Sequence, residues 1–278
     1  MRVLGATALS HSEISRLNLN TLIHAAKIHN ITLDIIANVY DRAETTVPSA
    51  LRTVHVNAFK GLFWYKHITP LVSASYDFVW LFDSDLGVAD FALWNVIDAM
   101  IKHDASAAQP RIRRLARKST DHLHLRVRRE CMRCEAQCTD FIEVMTPVFT
   151  RDAWTHVYTG LLRSLPRTEL RLSVGGIDTR WCAYLSDKIH GKSACLVSNA
   201  TITHYDYRTL RHRGMRRSND FIVLANKGMR DHYPCPFCLR SGFQSCKSFE
   251  RHGYTARKPR LAKNVLKTFF SAASSKEL

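Results

Sequence analysis

The stretch SYDFVWLFDSDLGVADF, residues 75–91, decides the fold class and contains the first candidate site. Its apolar run, residues 78–82, has the length and composition of a buried β-strand. Two aspartates, Asp83 and Asp85, end the run, and Gly87 follows where the chain would turn sharply. Because side chains two positions apart in an extended segment point the same way, we expect these two carboxylates to converge.

The flanking sequence alternates between strand-like and helix-like patterns. Apolar runs predict strands at residues 2–9, 31–41 and 53–57, and helical spacing of apolar residues predicts helices at 12–29, 60–72 and 91–102. Ser12 is the expected N-cap of the first helix, and Asn30 is its expected end. This alternation is typical of an α/β fold, so we predict an open, mostly parallel sheet flanked by helices on both faces.

The end of this strand is also where a ligand is expected. Ligands of open α/β sheets bind outside the carboxyl ends of the strands, where Asp83 and Asp85 are predicted to lie. Two converging carboxylates suit a hard divalent cation, Mn²⁺ or Mg²⁺, which prefers oxygen ligands. The alternative is an exposed turn in which Asp85 or Asp90 caps the following helix. The residues alone leave both interpretations open.

Three later polar residues are further candidates for a site. Glu143 lies inside the apolar segment 140–154, Asp178 follows a double glycine ahead of a predicted helix, and His204 ends a β-rich segment. Their structural alternatives are an outward-facing acid on a half-exposed strand, a helix cap, and a histidine without a ligand role. A histidine at the end of a late strand favours the ligand role, because the fold already offers two carboxylates.

Charge and hydropathy narrow the classes of partner. Lys and Arg number 40 against 24 Asp and Glu, a formal net charge of +16 over 278 residues, which favours anionic partners. No apolar run approaches the roughly 18 residues of a membrane span. We interpret the N-terminal segment as a strand entering a helix rather than a signal peptide. The C-terminal SSKEL completes neither a retention signal nor a peroxisomal signal.

Six blocks of the sequence together carry a resemblance to a known family. In chain order they are HVNAFKGLFWYKHITP, YDFVWLFDSDLGV, AAQPRI, CTDFIEVMTPVFTRDAW, GGIDTRWCAYL and ITHYDYRTL. From its first strand to about Tyr233, the chain resembles the plant-type family catalogued as domain of unknown function seven hundred and seven. The resemblance implies a GT-A-like fold, that of nucleotide-sugar transferases, over residues 1–234. A basic, cysteine-rich tail at 235–278 falls outside it.

The resemblance also implies roles for individual residues. Asp83 and Asp85 match the acidic motif that binds metal and diphosphate in GT-A enzymes, although Ser84 stands where the family usually has an acid. The other matches are His204 as a further metal ligand, Asp178 and Glu143 as candidate catalytic carboxylates, Lys60 at the donor phosphates, and Asp41 where the nucleobase and ribose are held.

The activity that the resemblance implies is transfer of a sugar from a nucleoside-diphosphate donor to a glycan or other hydroxyl acceptor. Mn²⁺ or Mg²⁺ would neutralise the leaving diphosphate, and Asp178 or Glu143 would deprotonate the acceptor. The family implies the secretory pathway, typically the Golgi, behind an N-terminal anchor. This chain starts directly at its first strand, so a cytoplasmic location and an incomplete N-terminus both stay open.

Two cysteine-containing regions add further expectations. The basic stretch 111–133 is interpreted first as a solvated loop; the alternative is that it attracts donor phosphates, an acidic acceptor or a membrane surface. The resemblance implies a small disulfide loop at Cys134 and Cys138 if the protein is luminal, with zinc binding as the alternative. The tail resembles an incomplete zinc finger, whose Zn²⁺ ligands would be Cys235, Cys238, Cys246 and His252. Disulfides or free thiols are the alternative for the tail.

Two rival functions follow from these features. A nucleic-acid-binding protein would use the tail together with the basic stretches 111–133 and 207–217. Its charge is diffuse and there is no second finger, so nucleic acid is the less favoured partner. A catalytically inactive, transferase-like scaffold is the third hypothesis, which Ser84 permits.

Overall fold

A computed structural model of the protein describes most of the N-terminal three quarters of the chain. The described residues are 1–205, apart from 43, 59, 115–134, 140, 173, 175–176, 179 and 190–192, together with 238–239. Within this described part, no helix combines the length and the apolar composition needed to cross a membrane.

A single sheet runs through the described residues. Its strands are β1 (Arg2–Leu9), β2 (Thr32–Val39), β3 (Arg52–Val54), β4 (Phe78–Asp83), β5 (Ala105–Arg114), β6 (Ala136–Cys138), β7 (Val148–Thr150), β8 (Ser193–His204) and β9 (Cys238–Leu239). The spatial order is β3-β2-β1-β4-β7-β5-β8-β6-β9. Strands β3, β2, β1 and β4 are parallel, as are β5 and β8, whereas β7 and β6 pair antiparallel with their neighbours. The predicted open α/β sheet is confirmed, and its parallel part contains the predicted acidic strand.

Helices cover both faces of the sheet, as the sequence predicts. They are α1 (Leu19–Ile28), α2 (Lys60–His67), α3 (Pro70–Ser73), α4 (Leu93–Lys102), α5 (Arg151–His156) with a following π-helical turn (Val157–Leu162), α6 (Arg167–Leu172) and α7 (Trp181–Lys188). Buried residues of α1 and α4 belong to one core, and those of α2, α5 and α7 belong to a second. Strand β4 serves both cores, because Trp80 and Phe82 face the first whereas Val79 and Leu81 face the second.

The first predicted helix begins later than expected. Ser12 lies in a short 3-10 turn, His11–Glu13, in which Glu13 accepts a hydrogen bond from the Ser10 backbone N–H at 2.6 Å. Helix α1 starts only at Leu19, where Asn18 is the cap. The predicted end is confirmed, since Asn30 has φ 57°, a left-handed conformation that terminates helices.

Two further predicted elements are shorter in the structure. The predicted helix 60–72 is divided into α2 and α3, because Thr69 caps a new helix that Pro70 begins. In the segment 140–154 only Val148–Thr150 is a strand, so Glu143 does not lie on a strand. Residues 141–147 form neither a helix nor a strand and run beside the end of β4. We call them the 141–147 segment.

Candidate functional site

The candidate site lies at the carboxyl ends of the parallel strands. Asp83 is the last residue of β4 and pairs in register with Ala8 of β1. The chain turns immediately afterwards, at Ser84 and Asp85, rather than continuing extended to Gly87 as predicted. Because of this turn, the two carboxylates take different partners.

The turn after β4 is joined to the end of β8 by backbone contacts. Leu86 forms an antiparallel bridge with His204, the Tyr205 N–H donates to the Asp85 carbonyl at 2.9 Å, and the Gly87 N–H donates to the Thr203 carbonyl at 2.7 Å. These bonds bring the acidic motif and the late-strand histidine together, as the family resemblance implies. The helix-cap alternative is wrong, because the N-cap of α4 is Ala92 and has no side-chain cap.

Asp83 is held by a buried lysine. The Lys60 ammonium lies 2.5 Å from Asp83 Oδ1 and 3.1 Å from the Val144 carbonyl oxygen, and the side chain is only 10% exposed. Lys60 starts α2, and its Nζ lies 5.6 Å from the centre of the Trp64 ring. Lys60 thus lies at the start of a helix, as the resemblance implies, and the structure places its ammonium against the acidic motif.

Burial and charge together perturb Asp83. Desolvation by burial raises its pKa from 3.8 to about 6. Lys60 opposes this shift through its charge and hydrogen bond, and His204 does so more weakly, whereas the neighbouring charge of Asp85 adds to it. A carboxyl group with a raised pKa beside a second carboxylate is typical of a functional site.

Asp85 is paired with His204. The distance between Asp85 Oδ2 and His204 Nε2 is 3.0 Å, with the two side chains 19% and 7% exposed respectively. The partners are 119 residues apart in sequence. The structure thus brings Asp83, Asp85, His204 and Lys60 into one polar cluster, which we call the acidic cluster.

The 141–147 segment forms the wall of the site next to β4. The Asp83 N–H donates to the Met145 carbonyl at 2.9 Å, and Trp80 Nε1 donates to Thr146 Oγ1 at 3.0 Å. Glu143 is buried, at 7% exposure, and its backbone N–H donates to the side-chain oxygen of Gln109. The interpretation of Glu143 as an outward-facing acid on a half-exposed strand is therefore wrong.

Asp178 lies in the turn that precedes α7, also buried at 5% exposure. Trp181 Nε1, at the start of α7, donates to the Ile142 carbonyl at 3.0 Å and so anchors this turn to the 141–147 segment. Burial also lowers the pKa of the adjacent Arg180.

Close packing at Gly61 brings the chain before Asp178 against α2. A Cβ atom at Gly61 would lie 2.6 Å from Val174 Cγ1 and 3.0 Å from the Leu170 carbonyl oxygen. A residue with a side chain would separate α2 from the segment that leads to Asp178. Gly61 therefore permits the approach of two regions that carry predicted site residues, Lys60 and Asp178.

Asp41 lies at the same edge of the sheet, but in an exposed loop. It lies two residues after Val39, the last residue of β2, and β2 is separated from β4 by β1. Its Oδ1 accepts a hydrogen bond from the His11 N–H at 2.8 Å. Asp41 thus connects the turns after β1 and β2.

A metal site is not preformed in this arrangement. Within the described ranges, no group of three or more His, Cys, Asp and Glu side chains is spaced to hold a metal ion. The donor chemistry nonetheless fits Mn²⁺ or Mg²⁺, because the acidic cluster offers two carboxylates and an imidazole. Asp85 raises the pKa of Asp83, a repulsion that a bound cation would relieve.

A disulfide joins α7 to the first residues of β8, the strand that ends at His204. Cys182 of α7 is bonded to Cys195 of β8, with their Cα atoms 5.6 Å apart. Cys138 is also disulfide-bonded, to a partner outside the residues whose side chains are described. Sequence reasoning left Cys182 and Cys195 unpaired; their isolation between two cysteine clusters was the available signal. It also missed the hydrogen bonds that join Trp181 and Gln109 to the 141–147 segment, for which no local pattern exists.

Several predictions fall outside the described residues. One is the zinc site, whose ligands would be Cys235, Cys246, His252 and the side chain of Cys238. The others are the disulfide of Cys134 with Cys138 and the roles of the basic stretches from 115 to 133 and from 207 to 217. The domain boundary at 234 and the nucleic-acid hypothesis depend on these regions, and both stay predictions.

The sequence was compared with protein-family models and with curated proteins. One family model matches residues 17–232, and its description is "Protein of unknown function (DUF707)". The chain belongs to this family. The family resemblance found in the sequence is therefore confirmed. Among curated proteins, no match to the chain was found.

Solved structures of glycosyltransferases are similar in fold at low identity. GalNAc-T7 with UDP, GalNAc and Mn²⁺ is 11% identical, with 74% of this chain and 44% of that chain covered and a TM-score of 0.48. TarS 1–349 of S. aureus in complex with UDP is 14% identical, with 73% and 60% covered and a TM-score of 0.46. The chain spans less than two thirds of the length of these two proteins. Both TM-scores are below 0.5.

Proposed function

We propose that this member of the family is a metal-assisted glycosyltransferase. It transfers a sugar from a nucleoside-diphosphate donor to a glycan or another hydroxyl acceptor. The observation that carries the proposal is the acidic cluster, in which two carboxylates at the carboxyl end of β4 meet His204 and a buried Lys60. Such a cluster at the carboxyl edge of an open α/β sheet is where nucleotide ligands bind.

The residues of the acidic cluster would each contact either the metal ion or the phosphates of the donor. Asp83, Asp85 and His204 would hold Mn²⁺ or Mg²⁺, which when bound supplies Lewis-acid neutralisation of the leaving diphosphate. The Lys60 ammonium, 2.5 Å from Asp83, adds a donor of hydrogen bonds and a positive charge for phosphate oxygens. Asp41, at the same edge beyond β2, is in position to meet the nucleoside part of the donor.

The acceptor side is assigned to two further buried acids, Glu143 and Asp178. Glu143 and Asp178 lie on segments that Trp181 joins, next to the Val144 carbonyl that contacts Lys60. Either carboxylate can accept the proton of an acceptor hydroxyl as a general base. Substitution of each acid separately distinguishes them, since the base is the one whose loss removes transfer but keeps donor binding.

The disulfides support a location in the secretory pathway. Buried disulfides persist in oxidising compartments and are rare in the cytosol. Cys182, Cys195 and Cys138 are all oxidised in the structure. We therefore include the secretory pathway, with the Golgi as the expected compartment, in the proposal.

Calorimetric titration tests the donor site directly. The wild-type chain is titrated with UDP and with GDP, in the presence and absence of Mn²⁺. We expect one of the two nucleotides to bind in a Mn²⁺-dependent manner, and Asp83→Ala and Asp85→Ala to weaken that binding by about 100-fold or more, since each removes a proposed ligand.

The matched control is Asp90→Ala, which removes an exposed carboxylate five residues after Asp85. It should bind the nucleotide as the wild type does. Unchanged Mn²⁺-dependent binding in both Asp83→Ala and Asp85→Ala would refute the proposed donor site. Binding of neither nucleotide by the wild type would shift support to the scaffold hypothesis.

A further inference from the structure

The ammonium group of Lys60 is already a cation inside the acidic cluster. Its Nζ contacts Asp83 Oδ1 at 2.5 Å and the Val144 carbonyl oxygen at 3.1 Å. A buried ammonium needs hydrogen bonds and a counter-charge to compensate for its lost hydration. These two contacts supply both, so they hold Lys60 on the carboxylate that a metal would use.

The second carboxylate of the cluster is engaged as well. Asp85 Oδ2 lies 3.0 Å from His204 Nε2. With the His204 imidazole neutral, two carboxylates and one ammonium leave a single net negative charge, and Ser84 adds none. A divalent cation is attracted less strongly to one negative charge than to two, and it must displace existing contacts to reach these oxygens. Among the described residues, no three His, Cys, Asp or Glu side chains are spaced to hold a metal ion, as expected when the carboxylates are already paired with Lys60 and His204.

We propose that Lys60 is a positioning residue that keeps the cluster poor in metal until a diphosphate arrives. This inference rests on the proposed function. The diphosphate brings negative charge that the divalent ion and the Lys60 ammonium share, so Lys60 exchanges Asp83 for a phosphate oxygen. Metal and nucleoside diphosphate therefore bind with positive coupling, and the metal alone binds weakly.

Titration of Mn²⁺ monitored by electron paramagnetic resonance tests this role without any turnover. The full chain is titrated with Mn²⁺ alone and then with UDP present. We expect Lys60→Gln to bind Mn²⁺ alone about tenfold or more tighter than the wild type, the effect of removing one nearby positive charge in a partly exposed site. We expect UDP to increase the Mn²⁺ affinity of the wild type by a larger factor than that of Lys60→Gln.

Three variants serve as controls for the effect of Lys60→Gln on Mn²⁺ affinity. Lys60→Arg keeps the charge and should bind Mn²⁺ alone as weakly as the wild type does. Lys66→Gln removes an exposed lysine from the same helix, α2, and should change nothing. The double variant Lys60→Gln/Asp85→Ala should lose the gain in affinity, which assigns the tighter binding to the acidic cluster. Lys60→Met replaces Lys60→Gln in the same test if thermal unfolding shows that the amide variant does not fold.

The outcomes separate this inference from the proposed function. Mn²⁺ affinity that is unchanged or lower in Lys60→Gln, beside normal UDP binding, would overturn the role of Lys60 and leave the donor site intact. Tighter Mn²⁺ binding by Lys60→Gln, with neither UDP nor GDP bound by any variant, would support the effect of the Lys60 charge on the metal and remove the proposed function.

Discussion

The two edges of the parallel sheet carry similar polar groups in different surroundings. At the amino edge, Arg2 pairs with Asp34 at 3.3 Å, with side chains 48% and 24% exposed, and Tyr76 donates to Asp34 at 3.1 Å. At the carboxyl edge, Lys60 pairs with Asp83 at 2.5 Å, with side chains 10% and 27% exposed. The ion pair at the amino edge is partly exposed to water and joins β1 to β2. At the carboxyl edge the carboxylate is about as exposed as Asp34, but its cation, Lys60, is buried and a second carboxylate, Asp85, adds a negative charge.

Burial is what makes one edge a candidate site. An exposed ion pair contributes little to stability, because water screens it and competes for its hydrogen bonds. A buried pair depends on its partners, so the loss or exchange of one partner has a large effect. The difference predicts that changes around the carboxyl edge affect stability and ligand binding, whereas changes at the amino edge affect neither strongly.

The largest expected effect on stability comes from the Cys182–Cys195 disulfide, which joins α7 to β8, the strand that ends at His204. Removal of the bond in Cys182→Ala/Cys195→Ala should lower the free energy of unfolding by about 3 kcal/mol, because the bond closes a loop across 13 residues. Urea unfolding measures this loss. Each single variant also breaks the bond and should lose a similar amount. A loss well below 1 kcal/mol in all three variants would show that the bond between α7 and β8 does not stabilise the fold.

The next effect concerns the close approach of α2 to the chain before Asp178. Gly61→Ala should lower the free energy of unfolding by about 1–2 kcal/mol, because the new Cβ overlaps Val174 and the loss exceeds the gain in helix propensity. Urea unfolding reports this loss, and titration should show weaker nucleotide binding. Lys66→Ala, at an exposed position of the same helix, serves as the control and should be neutral. A Gly61→Ala variant as stable as the wild type would contradict the packing argument.

A smaller effect concerns the pH dependence of stability. The pKa of Asp83 is raised to about 6 in the folded protein, from 3.8. Between these values the folded state binds more protons than the unfolded state, so the contribution of Asp83 to stability is fully present below about pH 4. It is lost as the pH rises through about 6. Asp83→Asn should lack this decline, a difference on the order of 1 kcal/mol.

Urea unfolding at several pH values between about 4 and 7 measures this difference. Ser84→Ala, which changes a neighbour that does not titrate, should follow the wild-type profile. Profiles of the wild type and Asp83→Asn that run parallel over this range would show that Asp83 does not titrate as described.

The smallest effect is expected at the amino edge. Arg2→Ala removes the ion pair with Asp34 and the contact with the Tyr76 ring, whose centre lies 4.8 Å from the Arg2 guanidinium carbon. Because Arg2 is half exposed, the free energy of unfolding should fall by about 1 kcal/mol or less. Nucleotide binding should stay at the wild-type level in titration. Loss of binding in Arg2→Ala would remove the distinction between the two edges.

Much of the fold could be predicted from local sequence patterns. Strands β1 and β4 and the end of α1 at Asn30 were predicted at or near their observed bounds, because apolar runs and turn residues act locally. The start of α1 was not, since the helical spacing continues through the 3-10 turn that Glu13 stabilises. The single helix expected at 60–72 was interrupted by a cap at Thr69.

The candidate site, like the fold, could be predicted only in part from the sequence. The sequence indicated which carboxylates and which histidine to consider, and the family motifs added Lys60 as a candidate at the donor phosphates. It gave the wrong geometry for the acidic motif, because the chain turns at Ser84 instead of staying extended. It also missed the burial of Glu143, which depends on contact with Gln109, 34 residues away.

The sequence by itself determined the strand that ends in Asp83, the alternation that builds an α/β sheet, and membership of the family. These depend on residue type and spacing along the chain. Only the tertiary structure decided that Lys60 meets Asp83 across 23 residues and that Asp85 meets His204 across 119. Burial and long-range pairing follow from the order of strands in the sheet, and these contacts give the acidic cluster its charge and its chemistry.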